Sequence, residues 1–123
     1  MERTFIMTSE FDKAWSSLGL TDKDLKNLQN ELLDNPDSGD LIKGTHGCRK
    51  IRISLENRGK SGSARVIYVD FIRFEKLYLL TAYAKKDKAN LSKQEMNSIK
   101  EKVKTIELLE RTSYERRKEY ECI

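Results

Sequence analysis

The sequence holds few of the residues from which metal sites and disulfide scaffolds are built. It has one histidine, His46, which excludes a mechanism that needs two imidazoles and also a histidine-rich metal site. Its two cysteines, Cys48 and Cys122, have neither zinc-site spacing nor the density of a disulfide scaffold, so free thiols are expected. We therefore predict that the protein uses no metal and no cofactor.

Long apolar segments are also missing. No run approaches the ~18 residues that a membrane span requires. The first residues, MERTFIMTSE, contain an acid and too short an apolar stretch for a signal peptide. We expect a cytoplasmic protein that makes no membrane contact.

The composition indicates one small domain. The 123 residues match the usual domain size of roughly 100–200 residues. With 37% hydrophobic residues, one proline and six glycines, the chain can bury one modest core and is expected to fold alone.

The middle of the chain is basic and its flanks are acidic. Between Lys43 and Lys88 there are 12 Lys and Arg against four Asp and Glu, whereas the remainder has 12 basic and 16 acidic residues. This concentration favours a phosphate backbone as a partner, because neutralising phosphates supplies most of the non-specific affinity for nucleic acid. The alternative is that the 36% charged residues only keep a small protein in solution.

Hydrophobic spacing predicts an α+β domain. Ser9 is the predicted cap of the first helix, a capping box of Thr21 and Asp24 begins the second, and another of Ser92 and Glu95 begins the last. The predicted order is β-α-α-β-β-β-α, at residues 3–7, 9–19, 21–35, 48–55, 64–71, 77–84 and 92–109. We expect a small, mostly antiparallel sheet with the first strand at an edge, an N-terminal helical hairpin and a C-terminal helix, packed mainly on one face.

The predicted domain spans residues 1–109. The run from Ala64 to Phe71 is nearly continuous in β-formers, as in a central strand covered on both faces. Residues 110–123 carry four acids and four bases without a clear apolar stripe, and are read as a charged C-terminal extension that is a frayed helix or a disordered end.

Basic residues fall at the ends of three consecutive predicted strands. In the first of these, Lys50 and Arg52 share one face and isoleucines occupy the other, because strand side chains alternate. Arg65 stands at the entrance of the next strand. The third strand is followed by Lys85, Lys86 and Lys88.

Three segments carry a family resemblance. They read G-x-x-G-x-R-K-I-R from Gly44, G-x-x-R-x-I-Y from Gly62 and L-L-T-x-Y-x-K from Leu79. With them, the chain from about Phe5 to Leu108 resembles the RelE/HigB superfamily of toxins from bacterial toxin–antitoxin modules, particularly its HigB-type branch. Members of this family are ribosome-dependent mRNA endonucleases that cut the codon in the A site without a metal, whereas a related branch poisons DNA gyrase.

The resemblance implies a set of five catalytic residues. Lys50 and Arg52 match the two basic positions on the family's second strand, and Arg65 matches the arginine on its third. Lys86 falls where the RelE-type motif has a basic residue after the last strand. RelE-type enzymes place a tyrosine a few residues further on, where this chain has none, and Tyr83 of the HigB-like pattern lies close by instead.

The same residues can supply the chemistry of RNA cleavage. Cutting RNA through its own 2′-hydroxyl requires an acceptor for that proton, cations for the phosphorane and a donor for the leaving 5′-oxygen. Arg52 and Arg65 suit the phosphorane, since a guanidinium stays charged and grips two oxygens. Lys50 or Lys86 is eligible as base or acid because neighbouring cations favour loss of a lysine proton, and Tyr83 can stack on a base or carry a proton. Which residue accepts the 2′-hydroxyl proton is left open.

Each assignment has a structural alternative. Lys50 and Arg52 fit a solvated strand face, Arg65 an ion-pair partner and Tyr83 a core position. Lys86 belongs with Lys85 and Lys88 to a charge run, and such runs usually only solvate a protein or bind phosphate. His46 is read as a surface residue of a turn. Five further basic residues are expected to bind the RNA backbone without reacting: Arg49, Arg58, Lys60, Lys85 and Lys88.

Three functions remain open on sequence alone. The leading one is an mRNA endonuclease acting on the translating ribosome; the others are a non-catalytic inhibitor of gyrase and a basic module that binds RNA or the ribosome. The expected partners are mRNA, the ribosomal A site and a cognate antitoxin with an acidic or amphipathic helical surface. The family implies an antitoxin with a helix-turn-helix DNA-binding domain, through which alone the toxin reaches operator DNA.

Overall fold

The computed structural model describes residues 2–55 and 62–121 of the chain. Within these ranges the chain forms one five-stranded sheet and three α-helices. The elements are β1 (Thr4–Met7), α1 (Ser9–Ser17), α2 (Asp22–Asp34), β2 (Asp40–Leu41), β3 (Arg49–Ser54), β4 (Ser63–Phe71), a 3-10 turn (Ile72–Phe74), β5 (Lys76–Ala84) and α3 (Lys93–Glu121).

The sheet has the strand order β1-β5-β4-β3-β2. β1 pairs parallel with β5, and the other neighbours are antiparallel. The α+β class and the edge position of the first strand are thus confirmed. The two-residue strand β2 was not predicted, since a segment this short carries no periodic signal.

Helices cover both faces of the sheet, whereas the sequence predicted mainly one. On β5, Leu77 and Leu79 pack with the α1–α2 hairpin, while Tyr78 and Leu80 pack with α3. Both faces of the central strands are apolar, so each needs a cover. The prediction that the strand beginning near Ala64 is covered on both faces is therefore correct, and α3 is the second cover.

The helix starts follow local capping chemistry. The Thr21–Asp24 capping box is present, and Ser92 and Glu95 form the same arrangement before α3. The cap of α1 is Thr8 rather than the predicted Ser9: its side-chain oxygen accepts from a backbone N–H one turn later. None of the helices within the described ranges is both long and apolar enough to cross a bilayer.

The C-terminal helix continues beyond the predicted end at residue 109. Glu110 accepts hydrogen bonds from Lys76 Nζ at 2.7 Å and from the Tyr78 hydroxyl at 2.6 Å. The ring of Tyr114 lies 5.7 Å from that of Phe74. These contacts attach the first turns of the predicted extension to the sheet. The sequence shows no apolar stripe there because the attachment is largely polar.

A buried tyrosine fixes the segment between α2 and β2. The Tyr68 hydroxyl donates to the carbonyl of Pro36 at 2.7 Å and accepts from the N–H of Gly39 at 3.0 Å. A Cβ on Gly39 would lie 2.9 Å from the carbonyl oxygen of Lys50 and from the Tyr68 ring, so only glycine fits. Arg49 also donates to the Gly39 carbonyl, at 2.9 Å.

Candidate active site

Three predicted site residues form one row across the sheet. Arg52 on β3 is the register partner of Arg65 on β4, which is in turn the partner of Tyr83 on β5. The residues on either side of Arg52 and Arg65 face the helical hairpin, so the row lies on the α3 face. Directly opposed side chains have Cβ atoms about 4.5–5.5 Å apart, so the side chains of two arginines and one tyrosine start from neighbouring positions on this face.

Arg65 is held by neutral oxygens. Its Nη1 donates to the Ser63 hydroxyl at 2.9 Å and to the Ala64 carbonyl at 3.3 Å. Neither partner carries a charge, and among the described residues no salt bridge to Arg65 is formed. The described residues therefore do not contain the ion pair of the structural alternative, and no carboxylate among them pairs with Arg65.

The Tyr83 hydroxyl is buried. Its side chain packs in the α3-side core, the residue is 8% exposed, and its hydroxyl makes no hydrogen bond to any described residue. Burial raises the pKa of Tyr83 above the ordinary value; the Arg65 guanidinium opposes this, and the Glu95 carboxylate adds to it. The phenol is thus protonated near neutral pH and is a donor rather than a base.

A second layer of polar side chains surrounds Tyr83. The ammonium of Lys88 lies 4.9 Å from the centre of the Tyr83 ring and also pairs with the Glu95 carboxylate. The hydrogen bond from Lys88, with one from the backbone N–H of Ser92, lowers the pKa of Glu95, which is therefore ionised. Lys50, half-buried on β3, donates from Nζ to Asn90 Oδ1 at 3.3 Å.

The turn after β5 places two more lysines near the row. Lys85 and Lys86 are exposed, and with Arg52 they line a cleft of about 380 Å³ between β3, the start of β4 and this turn. The backbone N–H of Lys85 donates to the Ser63 carbonyl at 2.9 Å, which holds the turn against β4. Lys86 and Arg52 thus border the same cleft.

The remaining predicted residues lie elsewhere. Arg49 contacts the loop before β2 and the Asp37 carboxylate at 3.5 Å, so its guanidinium is engaged away from the row. Arg58 and Lys60 fall outside the described residues. His46 pairs with Glu107 of α3 at 3.3 Å on the surface.

Sequence reasoning missed Glu95 and Asn90. Glu95 was identified only as a helix cap, because its contact with Lys88 depends on how the turn folds back.

The chain within the described ranges contains no group of three His, Cys, Asp or Glu that could hold a metal ion. Cys48 is a free thiol in the core, and burial raises its pKa to about 11.

Comparisons with known proteins bear on the fold and the family. A family model described as the RelE toxin of the RelE/RelB toxin–antitoxin system matches residues 2–121. The free E. coli RelE toxin carrying two arginine-to-alanine substitutions matches with 17% identity and a TM-score of 0.53, over 72% of this chain and 90% of that chain.

Two further E. coli structures are similar. The isolated RelE toxin has 21% identity and a TM-score of 0.47, over 86% of this chain and 99% of that chain. The RelBE toxin–antitoxin complex has 17% identity and a TM-score of 0.49, over 67% of this chain and 94% of that chain. The family match confirms the resemblance found in the three sequence segments: the chain belongs to the RelE toxin family of RelE/RelB toxin–antitoxin systems.

Proposed function

We propose that this toxin is an mRNA endonuclease that acts on the ribosome and cuts the codon in the A site. The observation that carries the proposal is the row of Arg52, Arg65 and Tyr83 on one face of the sheet. A toxin that only bound a partner would have no need to gather two guanidinium groups and a buried phenol at one point.

The two arginines suit the charge that develops during cleavage. Attack of the 2′-oxygen on phosphorus gives a phosphorane whose extra negative charge needs fixed donors close by. A guanidinium offers two N–H groups in one plane to two phosphate oxygens. Arg65 is partly fixed by Ser63, so it loses little freedom when it meets the phosphate.

Tyr83 and the lysines provide the proton transfers. Tyr83 is protonated near neutral pH, because burial raises its pKa, and is therefore available to donate a proton to the leaving 5′-oxygen or to orient the scissile phosphate. Lys50, two residues before Arg52 on β3, and Lys86, which lines a cleft with Arg52, are the proposed candidates for accepting the 2′-hydroxyl proton. Because the cations are supplied by side chains, the reaction as proposed requires no metal.

The need for a ribosome follows from the same geometry. The Tyr83 hydroxyl is covered in the free protein, so unbound RNA does not meet a complete site. Holding the RNA in a fixed geometry converts a poor bimolecular reaction into an effectively unimolecular one. The exposed Lys85 and Lys86 are placed to contact RNA phosphates at the entrance.

The proposed partners follow from the family. A cognate antitoxin is expected to silence the toxin, and an antitoxin with a helix-turn-helix domain would bring it to operator DNA. An acidic or amphipathic helical segment of the antitoxin would complement the basic face. Action on translating ribosomes places the protein in the bacterial cytoplasm.

The direct test is a reconstituted translation reaction followed by mapping of the mRNA 5′ ends by primer extension. Wild-type toxin should produce cuts within A-site codons only when ribosomes are present. Arg65→Ala should abolish them while its circular dichroism spectrum and ribosome co-sedimentation are kept. Intact mRNA with unaffected translation would overturn the proposal, and gyrase supercoiling would then be assayed.

A further inference from the structure

The connection between β5 and α3, residues 85–92, lies over the side chain of Tyr83; we call it the strap. A polar cleft of about 140 Å³ is lined by Tyr83, by Lys88 and Leu91 of the strap and by Glu95 of α3. Leu91 and Asn90 line a second cleft together with Lys50 and Tyr83. Strap residues therefore line two clefts against Tyr83.

Two polar contacts between a lysine ammonium and a side-chain oxygen help to fasten the strap, one in each cleft. Lys88 of the strap pairs with Glu95 of α3. Asn90 of the strap accepts from Lys50 of β3 at 3.3 Å. In each contact the ammonium belongs to a lysine near the Arg52–Arg65–Tyr83 row: Lys50 is on β3 with Arg52, and Lys88 lies 4.9 Å from the centre of the Tyr83 ring. A phosphate is a stronger partner for an ammonium than the neutral amide of Asn90 is.

We propose that the strap closes the site in the free toxin, and that RNA phosphates open it by taking Lys88 from Glu95 and Lys50 from Asn90. The inference rests on the proposed nuclease function and adds a step to it. Opening frees the Tyr83 hydroxyl, which has no partner among the described residues, to meet an oxygen of the RNA. A buried hydroxyl without a partner is unfavourable, and such an encounter would satisfy it.

Glu95 allows the ion pair to be removed without breaking the helix. Its Oε1 accepts from the backbone N–H of Ser92 at 2.9 Å, while Oε2 faces Lys88. Glutamine is also accepted at this position of a capping box. Glu95→Gln therefore keeps the start of α3 and removes only the charge that competes with phosphate.

The experiment measures binding of a 2′-O-methylated RNA oligonucleotide to the full-length toxin by fluorescence anisotropy. This probe cannot be cut, because its 2′-oxygen has no proton to lose. Glu95→Gln should bind it about two- to fivefold more tightly than wild type, the range expected for a half-exposed ion pair. The side chains of Lys88 and Glu95 are 36% and 40% exposed.

A double variant distinguishes competition from a general change in charge. Lys88→Gln should weaken binding, and adding Glu95→Gln to it should bring no gain, since there is no ammonium left to release. A gain of the same size in both backgrounds would overturn the proposal. Glu10→Gln is the matched control: Glu10 lines the same cleft but pairs with Lys102, at 3.6 Å. Its effect should be smaller than that of Glu95→Gln.

Amide hydrogen exchange provides a readout that needs no RNA. The backbone N–H groups of Asp87 and Lys88 donate to the Ala84 carbonyl. Peptides covering the strap should exchange faster in Glu95→Gln than in wild type, with the body of α3 unchanged. If wild type binds the probe but Glu95→Gln changes neither affinity nor exchange, the strap proposal fails and the nuclease proposal stands. Failure of the nuclease proposal itself is measured separately: in that case the wild type produces no A-site cuts in the translation assay.

Discussion

Arg65 and Tyr83 are register partners across the β4–β5 ladder, so one guanidinium lies beside one buried phenol on the face that α3 covers. The guanidinium counters part of the rise in the pKa of Tyr83 that burial causes. The pair therefore couples a fixed positive charge to a proton donor. In the proposed reaction, Tyr83 donates a proton to the leaving 5′-oxygen while Arg65 stabilises the negative charge on the phosphorane.

Arg65→Lys should reduce ribosome-dependent cleavage by roughly 100-fold or more, the usual loss when one donor to a developing oxyanion is removed. Lysine keeps the charge but not the planar pair of N–H groups. The single-turnover cleavage rate on programmed ribosomes measures this. Arg73→Lys is the control, because Arg73 stacks on Phe74, at 5.6 Å, at the opposite end of β4. A full rate for Arg65→Lys would contradict the role given to the guanidinium.

Tyr83→Phe and Tyr68→Phe should differ in their effect on stability. The Tyr83 hydroxyl has no partner among the described residues, so its removal should leave the free energy of unfolding unchanged or raise it by up to about 1 kcal/mol. The Tyr68 hydroxyl makes two buried hydrogen bonds, and its removal should cost about 1–3 kcal/mol. Urea unfolding measures both. Only Tyr83→Phe should lose cleavage while the protein stays folded.

Glu110→Gln should reveal a pH-dependent attachment of α3. Burial alone would raise the pKa of Glu110, but the hydrogen bonds from Lys76 and Tyr78 outweigh it and the pKa is lowered. A carboxyl whose pKa is lower in the folded state contributes stability above its unfolded pKa of about 4.3, and this is lost as the pH falls through the folded value.

The wild type should therefore exceed Glu110→Gln in unfolding free energy by about 1–3 kcal/mol at pH 7. The gap should shrink as the pH is lowered below about 4. Thermal and urea unfolding between pH 7 and pH 3 measure it. A gap that stays constant over this range would show that the charge of Glu110 does not hold the helix.

The salt bridge between Arg3 and Asp70 ties the N-terminus to β4. Arg3 Nε and Nη2 reach the two carboxylate oxygens at 2.7 and 3.2 Å, and the side chains are only 7% and 9% exposed. Asp70→Leu should cost about 3–5 kcal/mol, because it leaves a buried charge unpaired. Adding Arg3→Met should recover most of that loss, which chemical denaturation would show.

The sequence alone determined the family and the elements other than the short strand β2 and the end of α3. The capping box at Thr21 and the alternation around Lys50 depend on contacts between near neighbours, so they can be read without a structure. The end of α3 and the second helix-covered face could not be read in this way. Glu110 meets Tyr78 across 32 positions of the chain, and no local pattern records such a contact.

For the candidate site too, the residue types could be predicted from the sequence but their arrangement could not. The sequence identified Arg52, Arg65 and Tyr83 as separate residues of three strands, because their types and their family pattern are local properties. Only the tertiary structure decided that they form one row, since strand register is set by pairing over long separations. The contact between Glu95 and Lys88 and the position of the strap over Tyr83 are also seen only in the tertiary structure, because the path of the strap depends on how α3 packs on the sheet.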